Sequence, residues 1–281
     1  MPDPNRDYLT LLLNQYWFAP PVALWRAIEL RVLAEERFPR PILDLGCGDG
    51  LIAEVLFAGE PPIEVGLDPW LDQLRKAPAT GSYSSVHQAT GDAMPYPDET
   101  FGTVLSNSVL EHIPDLAPVI REAARVLRPE GRLIFTVPSD AFRRLLDGYR
   151  ERMAAKDPQG AEAYAAQVDA WLDHHRYPTP EAWRSKLERA GIKLTRAVYY
   201  VSAEAMRLWD RGNTTYGVRS TGKPSLFRCL ASPRGQKLGH QRVLRRWISG
   251  VLSRRWREAY LMDVPPQEVG GGLLIVGEKA G

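Results

Sequence analysis

Cysteine is nearly absent, with only Cys47 and Cys229 in 281 residues. That is too few for a disulfide framework, no paired spacing points to structural zinc, and a reducing compartment is the expectation. Long apolar runs are missing too. No window approaches the ~18 uninterrupted apolar residues that a spanning helix needs. The first thirty residues set Asp3, Arg6, Asp7, Arg26 and Glu29 around one short apolar run, Leu9 to Leu13. A signal peptide would have a basic start, a longer apolar stretch and small residues at a cleavage site. There is no internal repeat or low-complexity tract, and little excess charge, 36 Lys+Arg facing 34 Asp+Glu. With 44% hydrophobic residues, a chain of this length can bury roughly three quarters of its unfolded surface. Disorder and collagen-like structure are excluded. The expectation is a cytoplasmic globular protein that meets membranes only from outside.

The even charge balance hides an asymmetry. Residues Ala205 to Met262 hold 13 Lys+Arg but only two acids, Asp210 and Glu258, a surplus of 11 positive charges, so the remainder carries −9 against a whole-chain +2. A split of this size points to a separate surface with its own partner.

Apolar positions at helical spacing run from Leu9 to Leu33 and are interrupted by Pro20-Pro21, which predicts two leading helices. From Pro41 the pattern becomes short apolar runs, Ile42 to Leu45, Ile63 to Leu67, Thr103 to Leu105 and Arg132 to Val137, separated by helical stretches at Leu51 to Ala58, Trp70 to Ala77 and Leu116 to Leu127. Strands alternating with helices predict an α/β fold with a doubly wound, mostly parallel sheet. Residues 141 to 175 read as helix broken at Asp157-Pro158. Thr179-Pro180 starts another helix that Gly191 ends, and strands follow at Ile192 to Val201 and Gly272 to Glu278.

One local pattern carries chemistry. Ile42-Leu43-Asp44-Leu45-Gly46-Cys47-Gly48-Asp49-Gly50 is an apolar strand entering a glycine-rich turn and then a helix. Glycines suit a turn where a ligand must approach the backbone closely. Asp68 stands 18 residues after Gly50, at the end of the next strand, where an acid in such folds bonds the ribose hydroxyls of an adenosine-containing ligand. The third glycine comes earlier than in a dinucleotide fingerprint, and Asp44 precedes the turn.

The run Asp44 to Gly50 resembles the first motif of class I S-adenosylmethionine-dependent methyltransferases, and Val65-Gly66-Leu67-Asp68 the second. Gly91 to Phe101 is similar to their adenine-side loop, Leu105 to Asp115 to the segment after their fourth strand, and Arg121 to Leu133 to their helix, turn and fifth strand. The resemblance covers about residues 40 to 140 and lies nearest the small-molecule branch that includes quinone-biosynthesis (type 11) methyltransferases. It implies a seven-stranded Rossmann-like sheet and S-adenosyl-L-methionine as cofactor. Gly46, Cys47 and Gly48 would line the methionine end, Asp44 would orient its amino group, Asp68 would hold the ribose, Asp92 and the backbone of Ala93 and Met94 would meet the adenine, and Asn107 would close over the methionine portion. Methyl transfer by in-line displacement is then the expected reaction, to a small-molecule or lipid-like acceptor.

The sulfonium makes the methyl electrophilic, so the protein's task is alignment and exclusion of water. A hydroxyl acceptor would gain from a base. His112, after the fourth strand, and His175, in His174-His175-Arg176-Tyr177 before the Thr179 helix start, are the candidates. No second ligand appears at helical spacing from either, so no metal is expected. Asn107-Ser108-Val109-Leu110 lacks the Asn-Pro-Pro-Tyr type motif that methyltransferases acting on exocyclic base nitrogens resemble one another in, which disfavours methylation of nucleobase amino groups and leaves methylation elsewhere on RNA as an alternative. Alternatives sharing part of the pattern are an RNA methyltransferase, a non-catalytic cofactor-binding protein that docks a partner, and an NAD-dependent oxidoreductase, in which the Asp92 loop has no place.

Residues 241 to 261 place Val243, Leu244, Trp247, Ile248, Val251, Leu252, Trp256 and Tyr260 at steps of three and four among six arginines. Such a basic amphipathic helix can lie against an anionic membrane surface, or pack its apolar face on the protein with arginines in water. Trp209, Tyr216, Phe227 and Trp247 are candidates for either an acceptor pocket or core packing. The expected organisation is a helical cover over 1–40, a cofactor-binding core over 41–140, a lid with a further helix and strand over 141–204, a basic helical insertion over 205–271 and a final strand over 272–281.

Overall fold

Strands buried on both faces are mostly apolar, and β1 (Ile42–Leu45) and β4 (Phe101–Asn107), the middle of the sheet, are buried along almost their whole length, with Asp44, Thr103 and Ser106 as buried polar exceptions. The computed structural model describes residues 1–215 and 241–281 and, within the last segment, the side chains from residue 243 onward. Tyr216, Phe227 and Cys229 lie outside the described residues. Beside β1 run β2 (Ile63–Leu67) and β3 (Tyr83–His87); beside β4 run β5 (Leu127–Pro138), β7 (Gly272–Lys279) and β6 (Ile192–Tyr200). The order is β3-β2-β1-β4-β5-β7-β6, parallel through β5, with β7 antiparallel to both its neighbours. The expected doubly wound, seven-stranded sheet is therefore present. Strand order reverses between β1 and β4, so the loops leaving their carboxyl ends diverge and open a crevice there.

Helices α3 (Leu51–Leu56), α4 (Leu71–Leu74) and α5 (Leu116–Val126) connect the parallel strands. Helix α5 buries Leu116, Val119, Ile120, Ala123 and Ala124, and Asp115 caps it by accepting from Ala117 N at 3.2 Å. Two leading helices form as expected, α1 (Tyr8–Gln15) and α2 (Pro20–Leu33). Pro20 and Pro21 occupy the first turn of α2, where a missing N–H costs nothing. Helix α2 is buried on almost every side, with α1, α10 (Ala203–Thr215) and α11 (Gln241–Leu261) packed around it.

The 141 to 175 stretch divides into α6 (Phe142–Leu145), α7 (Asp147–Ala154) and α8 (Pro158–Leu172). The break before Pro158 was legible; the one at Leu146, which takes an extended ψ of 133°, was not. Helix α9 (Pro180–Glu188) starts as predicted, Thr179 Oγ1 accepting from Ala182 N at 3.2 Å, and ends before Gly191 at φ +76°. Helices α10 and α11 both lie between β6 and β7 in the chain. Helix α11 turns Ile248, Leu252, Trp256 and Tyr260 inward toward α1 and α2, while Arg257 bridges both oxygens of Asp7 at 2.9 and 2.6 Å. Val243, Trp247 and Val251, four residues apart, face outward at 75%, 65% and 44% exposure. The single broad apolar face read from the sequence is thus two faces, and Trp247 lies on the outer one.

Candidate active site

The turn after β1 is held by the next strand. Gly46 N and Cys47 N both donate to the carbonyl of Leu67, at 2.8 and 3.0 Å. Gly46 and Gly48 sit at φ +81° and +55°, left-handed values that favour glycine. The two glycines differ in what surrounds them. A Cβ on Gly46 would meet Val109 Cγ2 at 2.4 Å, whereas one on Gly48 would meet nothing within 4 Å. Gly46 is required by the fold, and Gly48 leaves its backbone face open to the cleft.

Three neighbouring cavities lie around this turn and the one after β4. One of about 250 Å³ lies between Asp44, Gly46 to Asp49 and Asn107. A second, about 660 Å³, extends from Gly46 past Asp68 and Asp92 to His112. They meet at Gly46 and Val109. The third, about 290 Å³, shares Arg26 and Ser108 with the first and His112 with the second, and is walled by Trp25, Phe142, Trp171 and Trp209.

Asp68, 6% exposed, accepts from Gly48 N and Trp70 N, each at 2.8 Å. It therefore shapes the glycine turn as well as facing the large cavity. Asp44 is equally buried and accepts from the Tyr83 hydroxyl at 2.6 Å. Burial pushes its carboxyl up to about 6, with the Tyr83 hydrogen bond opposing and the neighbouring Asp68 charge adding to the rise. Cys47 is buried beside them, and burial raises its thiol. Asp92 is exposed and lines the large cavity. Ala93 N donates to Thr90 O, Met94 N donates to Glu122 Oε2, and Met94 O accepts from Arg125. Both amides thus hold intramolecular partners, and the Asp92 side chain beside them lies on the wall of the large cavity. Asn107 donates to Thr136 Oγ1 at 2.9 Å and accepts from Arg26 at 3.1 Å.

Of the two histidine candidates, His112 reaches the cleft, where it lines both larger cavities. His175 does not: its ring lies 3.7 Å from Asp173 Oδ1, while its neighbour His174 lines the aromatic cavity. The sequence also gave no sign of Glu111 there, 3% exposed, nor of the cluster that Glu111, His112 and His174 make, with donor atoms all within 4.8 Å of one another. Burial pushes the Glu111 carboxyl up to about 8 and His174 down to about 3. Trp209, read as pocket or core, does both, with ring centroids 5.7 Å from Trp25 and 5.7 Å from Phe142.

A second group escaped the sequence entirely. Glu29, fully buried on α2, accepts from Arg26 at 2.6 Å, Ser108 Oγ at 2.6 Å and the Tyr200 hydroxyl at 2.9 Å. Burial alone would raise the Glu29 carboxyl; Arg26 and the Ser108 hydroxyl hold it below the usual range. This network ties the N-terminal helix to the turn after β4 and aims Arg26 at Asn107.

A mostly parallel sheet of this order, an open glycine turn after β1 and a buried acid just after β2 are the arrangement of a Rossmann-like methyltransferase fold. Residues 43–135 match the family model described as a methyltransferase domain. Over 202 residues the chain is 30% identical to demethylmenaquinone methyltransferase of Thermus thermophilus, covering 66% of this chain and 88% of that protein. It is 37% identical over 110 residues to 27-O-demethylrifamycin SV methyltransferase of Amycolatopsis mediterranei, covering 36% of this chain and 40% of that one. The chain spans less than half the length of several curated relatives it matches. In fold it is similar to an S-adenosylmethionine-dependent methyltransferase of Thermotoga maritima described as a possible histamine N-methyltransferase, with TM-score 0.56 and 15% identity over 96% of this chain and 99% of that one. The chain belongs to the S-adenosylmethionine-dependent methyltransferases.

Proposed function

We propose that this protein transfers a methyl group from S-adenosyl-L-methionine to a small or lipid-like acceptor held in the aromatic cavity. The observation supporting this reading is that the three cavities adjoin in pairs, the two flanking the glycine turn at Gly46 and Val109, and each of these adjoining the aromatic one, at Arg26 and Ser108 or at His112. A donor laid across the glycine turn would have its adenosine in the larger cavity and its methionine in the smaller, with its methyl directed toward the aromatic one. In this reading Asp68 holds the ribose, Asp44 the ammonium with Cys47 beside it, the open Gly48 backbone and Asn107 flank the methionine, and Asp92 faces the adenine amino group, with Ala93 and Met94 fixing that loop. The cofactor supplies an electrophilic methyl; alignment supplies the remaining rate, on the order of 7–11 kcal/mol for well-oriented reactants.

The acceptor reading draws on the lining. Aromatic walls favour an apolar, ring-bearing small molecule, and the relatives include a demethylmenaquinone and a 27-O-demethylrifamycin SV methyltransferase, whose names state small-molecule acceptors. His112 stands at the junction as a base for an acceptor hydroxyl; His175 would reach it only by exchanging places with His174. Incubating the protein with methyl-labelled cofactor and fractionated extract tests the reading. Label should enter a small apolar product; label in RNA, or none in any acceptor, would refute it.

Lipid-like acceptors also give the outward stripe of α11 a role. Val243, Trp247 and Val251 stand beside the exposed Arg246, Arg254 and Arg255, the pattern of a helix resting on an anionic interface. Sedimentation with phosphatidylserine-rich vesicles should capture the protein, and Trp247→Ser should weaken capture by about tenfold; equal capture by neutral vesicles would dismiss the electrostatic part.

Asp44 makes cofactor binding pH-dependent. The ligand's ammonium favours the carboxylate, so affinity should be flat above pH 6 and fall toward tenfold per unit below it. In the ligand-free protein the sign is opposite. A carboxyl raised from 3.8 to about 6 penalises folding only once pH climbs through that window, so the ligand-free stability is lost with rising pH. Calorimetric titrations across pH 5 to 8 read the first effect, and Asp44→Asn should flatten the curve.

A further inference from the structure

We propose that Glu111, His112 and His174 form a binding site for a divalent first-row transition ion of the Zn2+ type, at the junction of the acceptor and cofactor cavities. The three donor groups come from two distant segments, the turn after β4 and the segment following α8, and their ligand atoms lie within 4.8 Å of one another. Bonds of about 2.0–2.2 Å to an ion ask for donors near 3 Å apart, a closure of the kind side-chain rotation provides.

Both histidines have their outer nitrogens fixed in the manner of metal ligands. His112 Nδ1 lies 3.0 Å from the carbonyl oxygen of Asp173, which can only accept, so Nδ1 carries the proton and Nε2 presents a lone pair. The Tyr177 hydroxyl donates to Asp169 Oδ1 at 2.6 Å, so its oxygen accepts from His174 Nδ1 at 3.0 Å, and His174 Nε2 is also a bare lone pair. A carboxylate–tyrosine–histidine relay and a carbonyl–histidine contact are the partners that orient ligating imidazoles. Glu111 supplies the independent indication. It is 3% exposed, and its Oε2 is buried with no hydrogen-bond partner among the described residues. A buried carboxyl oxygen without a partner costs ~1–3 kcal/mol, and a cation held by this carboxyl, whose other oxygen Oε1 lies 3.9 Å from His112 Nε2, and by the two imidazole lone pairs would relieve that cost on displacing its proton.

Two imidazoles with one carboxylate suit Zn2+ and its first-row neighbours rather than Mg2+ or Ca2+, which prefer oxygen donors. Three protein ligands leave a position open toward the cavity. If the methyl-transfer reading is right, an acceptor oxygen would occupy that position; the metal site itself does not depend on it.

Chelator-treated full-length protein, free of cofactor and acceptor, should take up one Zn2+ per chain in calorimetry. Co2+ should give the visible spectrum of a four- or five-coordinate nitrogen/oxygen site. Glu111→Gln and His174→Ala should weaken uptake at least ~100-fold. Tyr177→Phe, which keeps all three ligands, should weaken it ~10–100-fold as loss of an orienting partner does, with circular dichroism verifying the fold. Absence of saturable binding, or binding that Glu111→Gln and Tyr177→Phe both leave unchanged, would overturn the proposal. Failure there leaves methyl transfer intact, and failure of methyl transfer leaves the metal titration intact.

Discussion

Glu29→Ala is expected to cost about 3 kcal/mol of stability, lowering the Tm by about 6–10 °C. Glu29 has no exposure, and three donors converge on it: the Arg26 guanidinium, the Ser108 hydroxyl and the Tyr200 hydroxyl. Removing it leaves Arg26, 25% exposed, without its counter-charge and strands Tyr200, itself 2% exposed. Breaking a buried pair from one side costs more than the pair contributes, because the remaining charge stays desolvated. Chemical denaturation measures this, and a loss under 1 kcal/mol would mean that water replaces the carboxylate. Glu29→Gln keeps the volume and two of the acceptor contacts, so it should lose less. Asn107 should feel either change through Arg26, which its Oδ1 binds at 3.1 Å.

Asp68→Ala is expected to weaken S-adenosylmethionine binding by about 100-fold, some 2.7 kcal/mol. A charged hydrogen bond contributes roughly 1.5–3 kcal/mol, and this carboxylate has two tasks. It would accept from the ribose, and it already holds Gly48 N and Trp70 N at 2.8 Å, so its loss also loosens the turn that the donor must lie on. Asp68→Asn separates the two. It keeps an oxygen for one backbone amide but loses the charge, and an intermediate affinity is expected. If calorimetry gave Asp68→Ala an unchanged affinity, the ribose assignment would fail.

How much of this was readable in the chain depends on whether the cause is local. Strands β1, β2, β4 and β5 announce themselves by short runs dominated by apolar residues, as burial of most of their positions requires. Strand β3 sits at the sheet edge as Tyr-Ser-Ser-Val-His, half-exposed and polar, and has no such signature. The glycine turn and Asp68 were legible for the same reason, being specified by backbone geometry within one strand-turn-helix unit. Arg26, Glu29 and His174 were not, since each acquires its meaning from a partner far along the chain, Asn107 and Ser108 for the first two and His112 for the third. On α11, steps of three and four cover a wider arc than one contact face, so periodicity alone could not divide the inward Ile248 and Leu252 from the outward Trp247 and Val251. No residue pattern foretold the orphan oxygen of Glu111, because its surroundings come from distant segments, Arg26 of α2 and Leu172 and His174 at and after the end of α8 lining the same cavity.

Strand β7 lies between β5 and β6 and pairs with both along most of its length, Phe135 and Ala197 each opposite Ile275. During synthesis, β6 therefore emerges with no neighbour to join, and stays unpaired until some eighty further residues have followed. The half of the protein that holds the glycine turn can assemble while the ribosome is still at work. The wall bearing Tyr200, and with it the last partner of Glu29, is completed only when the final strand slides into the gap.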